Sequence, residues 1–168
     1  FIKHTNPYLG KEYNDDYVLS LLKDEENLKI KTLNYEKIAN LINSEKIVAR
    51  FAGKMEYGPR ALGNRSILAD PRDKAIISKI NDMVKMRDFW MPFCPSIISE
   101  CADDYLINFK ENKGSFMTIG YESTALARKF IPAALHPADH TARPQIINSD
   151  QNIGLYKIIT KFKEITGV

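Results

Sequence analysis

The 168-residue chain holds only two cysteines, one tryptophan and three histidines. Cys94 and Cys101 are too few for a disulfide scaffold, and no His or Cys stands beside them at metal-ligand spacing. They read as reduced and as small apolar residues, which suits a cytoplasmic setting. No apolar run approaches the ~18 residues that a membrane-spanning helix needs. The start carries no secretory signal pattern. Charge of one sign is not in surplus either: Lys and Arg number 24 against 21 Asp and Glu, for a net charge of +3. That balance admits anionic small molecules and does not demand nucleic acid. A GxSxG elbow, a Walker A run, internal repeats and low-complexity segments are all missing. His136 as a metal ligand is disfavoured because no second ligand lies at suitable spacing.

What is present is ordinary in bulk. An apolar fraction of 44% and a charged fraction of 27% are those of a globular domain with a real core. Phe1 stands where Met would, and the helix stop Gly167 comes where an α/β unit would lead into another strand. Both ends therefore read as cuts in a longer chain.

Residues 1–33 read as a linker with a small helix opening at Asn14 to Asp16 and a stripe of Val18, Leu21 and Leu22. From 34 to 168 the pattern is that of one domain. Asn34 caps a helix to Ser44 with Tyr35, Ile38, Leu41 and Ile42 on one face. Strands are expected at 47–51 and 66–69. A helix from Asp73 carries Ile76, Ile77, Ile80, Met83 and Val84 inward. The stretch from Phe89 to Ile98 reads as packed and irregular or extended, with Trp90 in the core. A strand at 116–119, a helix from Ser123 to Phe130 ended by Pro132, a strand at 145–147 and a last helix from Asn152 to Thr166 complete the reading. The last helix turns Leu155, Ile158, Ile159, Phe162 and Ile165 to one side, and Gly167 ends it. Strands alternating with helices give an α/β class.

The stretch Gly53-Lys-Met-Glu-Tyr-Gly-Pro-Arg-Ala-Leu-Gly-Asn-Arg-Ser66 departs from that background. With its continuation to Arg72 it packs three glycines, three arginines, a lysine and a glutamate around little bulk. Glycines let backbone approach a ligand, and arginines offer forked donors that match phosphate or carboxylate. A solvated surface turn is the plain alternative. Arg60 and Arg65 are the first candidates for anion ligands. Glu56 is read as the ion-pair partner of an arginine, or else as a group that positions a ligand hydroxyl. Lys85 and Arg87 either complement a helix C-terminus or form a second clamp. Thr141, Arg143 and Gln145 fall on one side if 141–147 is extended, with a solvated hairpin edge as the alternative.

The loop and its continuation Ser66-Ile-Leu-Ala-Asp-Pro-Arg72 resemble the signature of O-carbamoyltransferases of the nodulation-protein-U and cephem-carbamoyltransferase type. The likeness extends over most of the chain. It takes in Ile80-Asn81, Val84-Lys85, Arg87, Phe89, Pro92-Phe-Cys-Pro-Ser96, then Ile131-Pro-Ala133, His136, Asp139, Thr141-Ala-Arg143 and Gln145. Pro7-Tyr8-Leu9-Gly10 resembles the join that precedes the C-terminal domain of such enzymes. The resemblance implies a YrdC-like open, twisted mixed sheet with flanking helices. It implies a partner N-terminal domain of actin/hexokinase type in the same polypeptide, and any iron belongs there. It further implies that ATP, with Mg²⁺, and carbamoyl phosphate meet on the YrdC-like domain and yield carbamoyl-adenylate. The carbamoyl group then passes to an acceptor hydroxyl of a sugar, nodulation factor or antibiotic-like molecule.

On this reading Arg60, Arg65, Lys85 and Arg143 carry the chemistry electrostatically. Lys54, Glu56, Gly58, Gly63, Asn64, Ser66, Arg87 and Thr141 bind substrate or nucleotide, and no metal ligand is assigned. The chain departs from the family pattern at Lys54 and Met91, where arginines are usual, and at His140, where glycine is usual. It also stops before an apolar strand and an Asn-Thr-Ser segment that the family has. A nucleotide- or RNA-binding module without catalysis is the alternative. Exposed aromatics interleaved with the basic residues, which that alternative wants, are not evident in the sequence.

Overall fold

A computed structural model describes residues 6–32, 34–85, 91–110 and 114–168. Helices and strands alternate in a mixed α/β arrangement. Helix α1 (Asp15–Leu22) is capped by the Asn14 side chain, which accepts from the Tyr17 N–H, and buries none of its residues. Helix α2 (Tyr35–Asn43) starts at Asn34, whose side chain accepts from the Lys37 N–H. Its inward residues are Ala39 and Ile42, whereas Tyr35 and Leu41 are exposed. The aromatic and leucine expected on the core face thus lie on the flank, and small Ala39 lets α2 sit close to its neighbour.

Strand β1 (Val48–Phe51) pairs antiparallel with β2 (Arg65–Leu68), with Val48 opposite Leu68 and Phe51 opposite Arg65. The signature loop is therefore the connection of a hairpin. Helix α3 (Ala75–Ile80) buries Ile76 and Ile80 and runs into a π-helical turn, Asn81–Lys85. Met83 in that turn is exposed, so the expected helical face ends at Ile80. The change to a wider turn rotates the residues that follow. Phe89 and Trp90 lie outside the described residues.

Strand β3 (Ser96–Ile98) pairs in parallel with β4 (Gln145–Ile147). Between them lie α4 (Ala102–Tyr105) and α5 (Ala125–Phe130), the latter capped by Thr124. A strand at 116–119 does not form: Phe116 makes a single bridge to Gln145, and Met117 takes a left-handed φ of 58° that ends the extended run. Helix α6 (Ile153–Thr166) begins at the Asn152 cap and ends at Gly167 with φ 79°. Its buried side is Leu155, Ile158 and Phe162, while Ile165 is exposed.

Among the described residues the strands form two pairs, β1–β2 and β3–β4. Each pair has its own packing. Ala39, Ile42, Ile158 and Phe162 join α2 and α6 against Val48 and Leu68 of the hairpin. Ile97, Ile98, Leu106, Tyr121 and Ile146 belong to the larger cluster around the parallel pair. Burial of apolar area of this kind stabilises at roughly 25 cal/mol per Å². Between the two pairs lies a cavity of about 790 Å³. Its walls include Ile67 and Leu68 on one side and Ile97 and Ile98 on the other. Among the described residues no helix is long and apolar enough to cross a membrane.

Candidate functional site

The signature loop is organised from within by Glu56. This residue is only 8% exposed. Its Oε1 accepts from the backbone N–H groups of Leu62 at 2.9 Å, Asn64 at 2.6 Å and Arg65 at 3.0 Å. Among the described residues Glu56 forms no ion pair with an arginine, so the salt-bridge reading is corrected. A carboxylate that gathers three N–H groups closes the loop on itself and leaves the arginine side chains to other tasks. Burial pushes its pKa up, but the hydrogen bonds from backbone N–H groups together outweigh this and hold the carboxyl below its ordinary value.

Asn64 is the second organiser. Its Nδ2 donates to the Lys54 carbonyl at 2.8 Å. Its Oδ1 accepts from Arg50 Nη1 at 2.7 Å and from Asn152 Nδ2 at 2.9 Å. The loop is thereby tied to β1 and to the cap of α6. Gly63 follows the same logic. It has φ 105°, its N–H donates to Ser66 Oγ at 2.9 Å, and its carbonyl accepts from Arg50 Nη1 at 2.6 Å. A Cβ there would lie 2.3 Å from Leu155 Cδ2 of α6. Gly58 also has a left-handed φ, 107°, but a Cβ there would meet nothing within 4 Å.

The two arginines of the loop part company. Arg65 directs Nη1 to the carbonyls of Ala52 and Asn64 at 2.8 and 3.1 Å, and Nη2 to that of Gly53 at 3.1 Å. Its guanidinium lies 3.7 Å from the centroid of the Phe51 ring. It clasps the hairpin ends together. Arg60 is exposed, without a hydrogen-bond or ion-pair partner among the described residues, and lies on the wall of the cavity. Gly63, Arg65 and Ser66 share that wall. Arg72, left open by the sequence, is held by Asp70 through a bidentate contact, Nε to Oδ1 at 3.0 Å and Nη2 to Oδ2 at 2.6 Å.

Of Thr141, Arg143 and Gln145, only Gln145 lines this cavity. Arg143 is exposed, has no partner among the described residues, and does not line the cavity wall. Thr141 is a loop fastener: its N–H and hydroxyl donate to Asp139 Oδ1 at 2.9 and 2.8 Å. His136 Nδ1 lies 3.2 Å from the same oxygen. The Thr141 contacts, and then the histidine, hold the Asp139 carboxyl below its ordinary value. Thr141, Arg143 and Gln145 do not share a side, because β4 begins only at Gln145, which is buried while Arg143 is exposed. His140 has φ 60°, a conformation in which glycine costs least. This is the physical content of the glycine usual at that position in the resembled family.

Lys85 ends the π-helical turn. Its side chain, and all of Arg87, lie outside what the structure describes. Lys54 is exposed and serves the site through its carbonyl. The cysteines are reduced, and buried Cys101 accepts a contact from Lys163 Nζ at 2.8 Å. Among the described residues no group of three His, Cys, Asp or Glu is placed to hold a metal ion.

Three participants escaped the sequence reading. In the sequence Arg50 and Asn152 stand out only as parts of a strand and a helix. Tyr8 was read as part of a join, yet residues 7–11 lie along the loop: Tyr57 N–H donates to Pro7 O at 2.7 Å, Gly10 N–H to Met55 O at 2.9 Å, and Tyr8 hydroxyl to Leu62 O at 2.7 Å. The signal for Arg50 was present, as a lone charge inside the apolar run Ile47–Phe51.

The family described as Carbamoyltransferase C-terminus matches residues 39–168. An uncharacterized protein of Methanocaldococcus jannaschii, MJ1058, is 42% identical over 168 residues, covering 96% of this chain and 27% of its own length. Nodulation protein NolNO of Sinorhizobium fredii is 35% identical over 133 residues, covering 79% of this chain and 19% of its own. Nodulation protein U of Rhizobium tropici is 30% identical over 132 residues, covering 79% of this chain and 22% of its own. The chain thus spans less than a third of each of these three relatives.

Proposed function

The chain belongs to the carbamoyltransferase family through its C-terminal part, and from that premise we propose that it forms the YrdC-like portion of an O-carbamoyltransferase, where carbamoyl phosphate and ATP are turned into carbamoyl-adenylate. The observation that carries the proposal is the signature loop: folded around buried Glu56, it leaves Arg60 without a partner among the described residues, at a cavity of about 790 Å³. Carbamoyl phosphate and ATP are both strongly anionic, so bringing them together requires positive charge fixed in place. In balance, ATP, carbamoyl phosphate and water become carbamoyl-adenylate, pyrophosphate and phosphate. No nucleophilic side chain is needed: water cleaves carbamoyl phosphate to carbamate and phosphate, and a carbamate oxygen then bonds to the α-phosphorus while the bond to pyrophosphate breaks. In this reading Arg60 offsets charge on the leaving pyrophosphate. Arg65, Glu56, Asn64 and Ser66 fix the loop from which Arg60 projects. No protein group is assigned to Mg²⁺, which would belong to the nucleotide substrate and would supply further positive charge there. The acceptor hydroxyl and the actin/hexokinase-type partner domain belong to the same proposal.

The test is carbamoyl-phosphate-dependent release of pyrophosphate from ATP by the full-length protein. Arg60→Ala is expected to lower that rate about 100-fold, the scale for losing one fixed donor to a developing charge. Full activity in the variant would remove the proposal.

One observation favours a second reading, a module for nucleotide or RNA binding. Phe51, which has the Arg65 guanidinium 3.7 Å from its ring centroid, and Tyr57 are 61% and 77% exposed, and supply aromatic surface that was not evident in the sequence. Saturable binding of single-stranded RNA that weakens steeply with salt, without pyrophosphate release, would favour it over the first.

A further inference from the structure

We infer that Arg50 is a further guanidinium of the anion-binding cavity, contacting the phosphate oxygens of the bound substrate together with Arg60. This rests on the carbamoyl phosphate and ATP reading only for the identity of the anion. Arg50 stands on β1, where burial alternates, and takes the half-buried side that Val48 also takes, away from exposed Phe51. A guanidinium on the inward side of a strand is costly unless charge and hydrogen bonds compensate it. Its hydrogen bonds are both made by Nη1, to Gly63 O and Asn64 Oδ1. No carboxylate among the described residues forms an ion pair with it.

The surroundings point the same way. Burial, the largest influence, pulls the guanidinium pKa down from its ordinary value. The hydroxyls of Tyr35 and Tyr8 and the carboxylate of Glu56 counter this, and Arg65 adds to it as a like charge. Glu56 is already committed to three backbone N–H groups. Arg50 and Arg65 both line the cavity, and Arg65 has its own donors on carbonyls. At the start of α6 a Cβ on Gly154 would come within 2.6 Å of Arg50 Nη2. That glycine gives the guanidinium its room. A desolvated cation, kept on the wall of an open cavity without a carboxylate partner, is compensated by an anionic ligand. The chemical class is a phosphate or polyphosphate, because Arg60 lies on the same wall.

The test is calorimetric titration of the chain with inorganic pyrophosphate, for wild type, Arg50→Met and Arg50→Lys, with thermal unfolding in parallel. Arg50→Met is expected to weaken pyrophosphate binding about tenfold or more, and Arg50→Lys, which keeps charge but loses the fork, about threefold. A purely structural Arg50 would lower the unfolding temperature and leave pyrophosphate affinity within about twofold of wild type in both variants; that result overturns the inference. Absence of saturable pyrophosphate binding by wild type overturns it as well. Should Arg50→Met not fold, Arg50→Lys decides by the same affinity criterion. Arg50-dependent pyrophosphate binding without carbamoyl-phosphate-dependent pyrophosphate release would uphold Arg50 and sink the carbamoyl-adenylate reading. Release at the wild-type rate in Arg50→Met would do the reverse.

Discussion

A single buried carboxylate sets the shape of the signature loop. Glu56 accepts three N–H groups, from Leu62 and Asn64 in the connection and from Arg65 at the start of β2. Its pKa is below the ordinary carboxylate value despite burial. A depressed pKa means that the contribution is complete above the unfolded-state value, about pH 4.3, and is lost as pH falls through the folded value. Glu56→Gln keeps an acceptor oxygen but not the charge. It is expected to lower stability by about 1–2 kcal/mol at pH 7, the difference between charged and neutral hydrogen bonds. The gap from wild type should narrow below about pH 4 as Glu56 takes up its proton. Denaturant melts of both proteins across pH 3–7 check this. A gap that stays constant with pH would mean that the charge of Glu56 does not stabilise the loop.

At the scale of elements, α6 reads the loop through a glycine. Gly63 must be bare because Leu155 Cδ2 would lie 2.3 Å from any Cβ, and its φ of 105° is a conformation that side chains resist. Gly63→Ala is expected to cost about 2–4 kcal/mol, combining backbone strain with displacement of α6. Gly58→Ala, with a similar φ and open space around it, is expected to cost only about 1–2 kcal/mol. Chemical denaturation of the pair measures the difference, and equal losses would show that backbone strain alone accounts for both. The helices themselves were legible, because Asn14, Asn34 and Asn152 at their starts and Gly167 at the last stop are local signals. Their inward faces were less so. Ala39 rather than Tyr35 or Leu41 faces the core of α2, since which face is buried depends on where α6 lies. In the site, the loop itself was legible from its glycines and arginines. Which arginine remains available was not, because the carbonyls that occupy Arg65 come from Ala52 and Gly53 across the hairpin. The separation of Arg143 from Gln145 was hidden for the same kind of reason: a bridge from Tyr121 to Ala142 and the late start of β4 interrupt the simple alternation.

For the whole molecule, the consequence is a division of labour between two strand pairs that meet across a cavity. The hairpin pair supplies Arg50, Arg60, Arg65 and Ser66, and the parallel pair supplies Ser96, Ile97, Ile98 and Gln145. Tyr8 hydroxyl and Gln145 Nε2 both donate to Leu62 O, at 2.7 and 2.6 Å, so the loop already touches both halves. An anion bound on the cavity wall would add to that bridge and favour the folded state over the unfolded one by mass action. At a ligand concentration 100 times its dissociation constant the gain is about 2.7 kcal/mol. For a chain of this length each kcal/mol raises the unfolding midpoint by about 2–4 °C, so the expected rise is about 5–10 °C. The measurement is thermal unfolding with Mg²⁺-ATP and carbamoyl phosphate, against sodium chloride at matched ionic strength to separate screening from binding. Arg60→Ala should lose most of the rise. A rise of equal size in that variant would place the anion away from Arg60, and a rise reproduced by sodium chloride would reduce it to general charge screening of a chain with net charge +3.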